Sequence, residues 1–319
     1  QLGGQELKLD ADADTSITVD TDDQIDIKIA GSDKLKIDAS SHLVTTTAGT
    51  SNFVLGVNAG NSIASGGNYN VALGDEAGTA ITTGDRNIAI GFEAGKSIST
   101  GGENVAIGYQ ALATEDGNGL NIAIGSEALE NLNAGADAYN VAVGHTAGKN
   151  VTTGIQNTLI GGSAGDALTT GNENVAIGME ALTSDTQGKR SVAVGKSALL
   201  TQNFSSATNA YNVAVGHDAG RAVTTGQKNV LIGALAGDAL TDSDANVAIG
   251  YVALGADTLG NGSTAVGNGA LRDQNFSSAT TTYNTAVGYQ AGLSTTTGER
   301  NVLVGGLTGD AITGGQRNV

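Results

Sequence analysis

The feature that most constrains this chain is a short motif that returns about every seventeen residues. The motif is Asn or Ser, usually a β-branched residue, then Ala or another residue such as Leu, an aliphatic residue and Gly, as in "NVAIG". Eleven of the fifteen steps between copies are seventeen residues long. This regularity indicates one structural unit per copy, each stacked on its neighbours. Copies begin at Asn52, Asn70, Asn87, Asn104, Asn121, Asn140, Asn157, Asn174, Ser191, Asn212, Asn229, Asn246, Ser263, Asn284 and Asn301, with a truncated copy at Asn318.

One motif copy has the pattern of a short β-strand. In "NVAIG" the two branched residues point to one side and the Ala to the other, and Gly permits a turn. The second half of a unit, as in "EAGTAITTG", predicts another short strand and turn. Helix is disfavoured because Gly recurs about twice per unit, at about 1 kcal/mol each in a helix interior. We therefore predict an all-β fold, a parallel β-roll or β-solenoid with coils of about 17 residues.

The small middle residue of the motif is Ala in most copies. We predict that it lies on the outside of the coil, where a row of Ala allows chains to pack closely. Because one thin coil buries few aliphatic side chains, a single roll would be marginally stable. Side-by-side association in a closed symmetric oligomer is therefore expected. The predicted interchain residues are Ala106, Ala123, Ala142, Ala176, Ala193, Ala214 and Ala248.

The units also form a longer repeat of 72 residues, which indicates that a block of four units was duplicated. The segment "QNFSSAT" occurs twice at this spacing, and extra residues enter three units at 133–138, 202–210 and 274–282. Insertions in a solenoid emerge as loops, so these segments are candidate contact sites. The preferred interpretation is that each Phe folds back and fills its own loop, and the other is a row of aromatic bumps that contacts a glycan or a neighbouring fibre. The predicted surface-contact residues are Phe204, Tyr211, Phe276 and Tyr283.

The first fifty residues differ from the rest. Apolar and charged residues alternate in several short runs, which predicts antiparallel strands with one solvated, Asp-rich face. Ala30–Lys34 has the pattern of a hairpin turn. We predict a β-rich connector or cap module at residues 1–44, a linker at 45–51 and the repeat shaft at 52–319.

Composition excludes several classes of function. The net charge of −17 argues against nucleic acid and against anionic membrane surfaces as partners. No apolar run is long enough for a membrane span. The chain has no Cys, which excludes disulfides and thiolate metal sites, and no Pro, which suits a backbone engaged in ladders.

Few residues form patterns typical of a metal-binding, ligand-binding or catalytic site. Asp10, Asp12 and Asp14 have the opening of a calcium loop but lack its later Gly and Glu, so a solvated strand face is the preferred interpretation. His145 and His217 are 72 residues apart, yet Asp and Tyr occupy the equivalent positions elsewhere, which favours an exposed turn over a metal site. The "TTG" triplets resemble ice-binding arrays, but their pattern is interrupted. We predict no catalytic, cofactor-binding or metal site, and no enzyme.

The repeats resemble a known family. "NVAIGYQAL" at Asn104, "NIAIGSEAL" at Asn121 and "SVAVGKSAL" at Ser191 look like the head repeats of trimeric autotransporter adhesins. The same units occur in tailed-phage fibres, and "TTG" together with "NTAVGYQAG" at Asn284 is most similar to fibres of marine phages. The resemblance covers residues 52–319 and implies a left-handed parallel β-roll in a homotrimer. The coil is longer than the usual adhesin repeat.

The resemblance implies a structural and adhesive function. We expect the shaft of a virion tail fibre that projects a host-recognition tip. The expected partners are two further copies, other tail or baseplate proteins, and a host-surface glycan or protein. The alternative is an adhesin on the bacterial cell surface. The chain begins without Met and stops inside a motif, so we expect a piece of a longer protein.

Overall fold

The computed structural model describes residues 6–9, 11, 15–19, 25–30, 32–37, 43–45 and 47–319. All regular secondary structure in these residues is β-strand, and no helix occurs among them. The chain divides into two compact units, Gln1–Gly119 and Leu120–Val319. The predicted all-β class is confirmed.

The first unit begins with a small antiparallel sheet, ordered β1-β2-β3-β4-β5. The predicted hairpin is confirmed: Ile29 pairs with Ser32 across a turn in which Ala30 has a φ of 52°. The strands of this sheet are β1 (Glu6–Lys8), β2 (Ser16–Val19), β3 (Ile25–Ile29), β4 (Ser32–Ile37) and β5 (Leu43–Thr45).

The predicted facing of this module is wrong for the residues that the structure describes. Ile25, Ile29 and Ile37 are exposed, whereas Asp26 is only 8% exposed. Asp26 lies opposite Lys36 in the register of β3 and β4, and its carboxylate is 3.5 Å from the Lys36 ammonium. The Lys36 ammonium is thus the charge partner of a buried carboxylate.

The coils of the first unit each contribute one three-residue strand to a parallel ladder. Successive strands pair in register, as in Val71 with Ile88. The strands are β6 (Phe53–Leu55), β7 (Val71–Leu73), β8 (Ile88–Ile90) and β9 (Val105–Ile107).

The second unit contains eleven three-residue strands that pair in a parallel ladder of the same kind. It also contains two short parallel pairs, β14 with β16 and β20 with β22. In the ladder, Ala142 pairs with Leu159, and Leu159 with Ala176. The strands are β10 (Ile122–Ile124), β11 (Val141–Val143), β12 (Thr158–Ile160), β13 (Val175–Ile177), β14 (Gly188–Lys189), β15 (Val192–Val194), β16 (Thr208–Asn209), β17 (Val213–Val215), β18 (Val230–Ile232), β19 (Val247–Ile249), β20 (Gly260–Asn261), β21 (Thr264–Val266), β22 (Thr280–Thr281), β23 (Thr285–Val287) and β24 (Val302–Val304). A parallel β-solenoid with coils of about 17 residues is thus confirmed.

The second strand predicted for each coil occurs in only four coils of the described chain, as the two-residue strands β14, β16, β20 and β22; in the other coils that half is a series of turns. Left-handed residues such as Glu76 (φ 57°) and Gly78 (φ 56°) interrupt any extended run. The backbone still bonds from coil to coil, since the Gly78 N–H donates to the Ala94 carbonyl at 2.9 Å. The coils therefore stack through hydrogen bonds around the coil as well as in the strand ladder.

The core lies inside the coils and is filled by aliphatic side chains of complementary size. Leu159 is fully buried where most coils carry Ala in mid-strand. A Cβ on Gly148 would lie only 2.6 Å from Leu159 Cδ1, so Gly in the adjoining coil makes room for the larger residue. The same pairing recurs with Gly220 and Leu231.

Candidate functional site

The alanines predicted to pack between chains lie inside the coil instead. All seven are 0% exposed in the single chain, so the prediction that they form an interchain seam is wrong. Side chains alternate across a strand, and the coil closes over the mid-strand residue, which is Ala in most coils. The alanines that lie inside the coil, and not between chains as predicted, are Ala106, Ala123, Ala142, Ala176, Ala193, Ala214 and Ala248.

The branched residues that flank these alanines form the outside of the ladder. We define the outer sheet face as the first and third residues of the eleven ladder strands in the second unit. Nineteen of these 22 residues are Val or Ile, and the others are Thr158, Thr264 and Thr285. None is charged and none is buried in the single chain; Ile122 and Ile232, for example, are 38% and 37% exposed. Contiguous exposed apolar patches are a common feature of interaction surfaces.

The inserted loops bury their two Phe side chains. Phe204 and Phe276 are only 4% and 5% exposed, so their assignment as surface-contact residues is wrong, and the preferred interpretation that each Phe fills its own loop is confirmed. An apolar ring gains more by filling its own loop than by facing water. Tyr211 and Tyr283 are exposed, which leaves them as candidate contact residues. The Arg190 guanidinium lies 5.8 Å from the Tyr211 ring centroid and donates to its hydroxyl at 3.0 Å.

The two seven-residue copies in the loops are anchored in the same way. The Thr186 hydroxyl lies within hydrogen-bonding distance of two acceptors, Asn203 Oδ1 at 3.0 Å and the Phe204 carbonyl at 2.9 Å. The Thr258 hydroxyl does the same in the second copy, at 3.1 Å and 3.0 Å. The loops are therefore hydrogen-bonded to the coil that precedes them.

A ladder of buried asparagines runs through the coils, and sequence reasoning missed it. Asn157 Nδ2 donates to the Gly171 carbonyl at 2.9 Å, and Asn157 Oδ1 accepts the backbone N–H of Asn174 at 3.0 Å. The recurrence of Asn at the first motif position was the signal that could have revealed the ladder. Asparagines that make both bonds include Asn52, Asn70, Asn87, Asn140, Asn157, Asn174, Asn212, Asn229, Asn246, Asn284 and Asn301.

The asparagine ladder is interrupted at Ser191, and a buried network replaces it. Gln202 Nε2 donates to Ser191 Oγ at 3.1 Å and to Asp185 Oδ2 at 2.6 Å. Gln202 Oε1 accepts from Asn212 Nδ2 at 2.8 Å. All four side chains are 0% exposed, and burial raises the pKa of Asp185 above its ordinary value.

A similar network occurs at the second interruption, 72 residues later, where the Thr282 hydroxyl also lies 2.5 Å from Ser263 Oγ. Gln274 Nε2 donates to Ser263 Oγ at 2.9 Å and to Asp257 Oδ2 at 2.5 Å, and Gln274 Oε1 accepts from Asn284 Nδ2 at 2.8 Å. Burial raises the pKa of Asp257 as well. Sequence reasoning noticed the paired segments but not that Ser and Gln replace Asn together.

The other candidate residues form no cluster. Asp10, Asp12 and Asp14 lie outside the described residues. His145 and His217 are exposed, and His217 Nδ1 is 3.1 Å from the neighbouring carboxylate of Asp218. Within the described ranges, no group of three or more His, Asp or Glu side chains could hold a metal ion.

The hydroxyls of the "TTG" triplets bond within the chain. The Thr169 hydroxyl donates to the Thr186 carbonyl of the following coil at 3.0 Å, and the Thr152 hydroxyl donates to the Thr169 carbonyl at 3.2 Å. These hydroxyls serve the stacking of coils, which weakens the ice-binding alternative.

Helices suited to crossing a membrane are absent from the part of the chain that the structure describes. The resemblance to adhesin and fibre repeats stays a prediction from the motifs. Comparison with known proteins found no matching family model, no matching curated protein and no matching solved structure.

Proposed function

We propose that this chain is shaft material of a homotrimeric virion fibre of a tailed phage. The observation that carries the proposal is the outer sheet face, an uncharged Val and Ile surface on eleven successive strands. Its role is mechanical: it holds a host-recognising tip away from the particle.

The chemistry of the outer sheet face supports self-association. Parallel sheets are normally covered on both faces and consist of nearly continuous apolar runs, as "VAI" does here. The coil interior covers one face, and the other needs a partner. A second copy offers the same uncharged surface at the same spacing, because every coil repeats it. This face takes over the role that we first assigned to the alanines.

The number of chains and the location come from the resemblance. Trimeric β-roll repeats are shared by phage fibres and autotransporter adhesins, so a bacterial surface adhesin is the second candidate. The sequence on either side of this chain would distinguish a phage fibre from a bacterial adhesin. A signal peptide with a C-terminal membrane anchor would identify an adhesin, and an attachment domain with a tip domain would identify a phage fibre.

The proposed external partners are tail or baseplate proteins and a glycan or protein on the host surface. Tyr211 and Tyr283 are 45% and 62% exposed beside the inserted loops and are the side chains proposed to contact the host. The net charge of −17 keeps neighbouring fibres apart through mutual repulsion.

The test is the solution mass of the chain, measured by size-exclusion chromatography with light scattering. The wild-type chain is expected to have three times the chain mass. Val192, Val213 and Val230 lie on adjacent strands of the outer sheet face, and replacing all three by Lys places charge where the copies meet. This variant is expected to have the mass of one chain, or to form heterogeneous aggregates.

The control carries the same added charge elsewhere. Ser205, Ser206 and Asn209 are exposed on an inserted loop, and their replacement by Lys is expected to leave the trimer intact. A wild-type chain that stays monomeric at high concentration would refute the proposal. A valine-to-lysine variant that remains trimeric would refute the assignment of the interface to this face.

A further inference from the structure

Two coils of the second unit place a serine hydroxyl against a glutamine side-chain amide in a site closed to water. Ser191 Oγ is 3.1 Å from Gln202 Nε2, and Ser263 Oγ is 2.9 Å from Gln274 Nε2. All four side chains are 0% exposed. Proximity of this kind, fixed by the fold, is what turns a slow reaction between two groups into a feasible one.

The orientation of the Gln202 amide is set by backbone groups. Asn212 Nδ2 donates to the Gly226 carbonyl at 2.7 Å, and Asn212 Oδ1 accepts the Asn229 N–H at 2.9 Å. The Asn212 amide therefore cannot be reversed, and its Nδ2 faces Gln202 Oε1 at 2.8 Å. The Gln202 carbonyl oxygen therefore accepts a hydrogen bond from Asn212 Nδ2, which would stabilise negative charge developing on that oxygen.

The nitrogen of the same amide faces Asp185. Asp185 Oδ1 accepts the backbone N–H groups of Gly188 at 2.9 Å and Phe204 at 3.2 Å, which leaves Oδ2 to contact Gln202 Nε2 at 2.6 Å. Burial raises the pKa of Asp185 and so favours the protonated carboxyl relative to an exposed Asp. A protonated carboxyl at this place can assist the departure of the nitrogen.

We propose that each site forms an intramolecular ester, between Ser191 and Gln202 and between Ser263 and Gln274. Ser Oγ attacks the side-chain carbonyl carbon of Gln, an Oγ–Cδ bond forms, and the Cδ–Nε2 bond breaks. The hydroxyl proton ends on the departing nitrogen, with Asp185 or Asp257 relaying it, and one ammonia leaves per ester. No oxidant or other co-reactant is needed.

The sequence supports a linked pair of residues. Among the fifteen complete units, Ser takes the first motif position only at 191 and 263, and only those units carry Gln eleven residues later. The earlier long unit has Asn121 and Leu132 at the corresponding positions. Each ester would close a covalent ring across the interior of one coil and tie the inserted loop to the strand.

Intact mass spectrometry of the denatured full chain tests the proposal directly. The wild-type mass is expected to fall short of the sequence mass by two ammonia masses. After digestion, the peptide with Ser191 is expected to remain joined to the peptide with Gln202. Hydroxylamine under denaturing conditions is expected to separate them and to leave a hydroxamate on the former Gln.

Paired variants assign the bond to its residues. Ser191→Ala with Ser263→Ala is expected to abolish both ammonia losses. Ser205→Ala with Ser277→Ala, at exposed positions of the same loops, is expected to keep them. The full sequence mass in the wild-type chain, after prolonged incubation of the folded protein, would overturn the proposal. Conversion of Gln202 to Glu with a free Ser191 would overturn it too, because water rather than serine would then be the attacking group.

Discussion

Replacing Asn157 by Ala removes one rung of the buried asparagine ladder, and its cost can be worked from the hydrogen bonds. The Gly171 carbonyl loses a donor at 2.9 Å, and the Asn174 N–H loses an acceptor at 3.0 Å. Both partners are backbone groups of buried residues, and the Ala side chain offers neither of them a replacement. An unpaired buried polar group costs about 1–3 kcal/mol, so the two together cost about 2–6 kcal/mol.

Hydrogen exchange at the Asn174 amide measures this cost locally, which suits a repeat fold whose units open separately. A loss of about 2 kcal/mol corresponds to exchange about 30-fold faster, since about 1.4 kcal/mol changes an equilibrium tenfold. Asn150 provides the control because it is exposed and its Nδ2 donates only to the Asp166 carbonyl. Its replacement by Ala is expected to change stability by less than about 0.5 kcal/mol.

Comparing the two asparagine variants shows whether the buried asparagine ladder contributes to stability. If the Asn157→Ala chain exchanges at Asn174 within a few-fold of the wild-type rate, as the Asn150→Ala chain is expected to, the ladder contributes little to stability. The energetic role that we assign to the first motif position would then be refuted.

Three further perturbations test other parts of the fold. Gly178→Ala is expected to destabilise its coil strongly, as seen in a lower melting temperature, because φ is +132° and the new Cβ would lie 2.6 Å from the backbone carbonyl carbon and oxygen of Gly195. Phe276→Ala is expected to cost about 3–5 kcal/mol and to open its loop to proteolysis, whereas exposed Tyr283→Ala should change neither, so equal effects would contradict the burial of Phe276. Burial raises the pKa of Asp257 in the folded state, so the folded protein holds this proton more tightly than the unfolded chain does. The stability that Asp257 contributes is therefore fully present below the pKa of an unfolded Asp, about 4, and is lost as the pH rises through the folded-state pKa. Asp257→Asn is expected to flatten this part of a plot of melting temperature against pH, and an unchanged slope would show that Asp257 does not produce it.

Local periodicity was enough to predict the fold class. The seventeen-residue spacing and the alternation in "NVAIG" are properties of neighbouring residues, and they determine where each strand lies and that the coils stack in parallel. Alternation determines only which residues share a face, however, and not which face is covered. That choice depends on how the coil closes, which put Ala176 inside and Val175 outside, contrary to our prediction.

The candidate site depended on contacts between residues distant in the chain. The seventeen-residue period places Asp185 beside Gln202 in the preceding coil, but Ser191 lies eleven residues from Gln202, a distance that the coil period does not predict. Phe204 is buried for a similar reason, since its loop folds back on the preceding coil. The sequence by itself determined the repeat, the strands and the stacking, because these follow from steric preferences of successive residues. Only the tertiary structure decided which side chains face the interior and which polar groups meet there, because closure of each coil brings together residues that local rules leave apart.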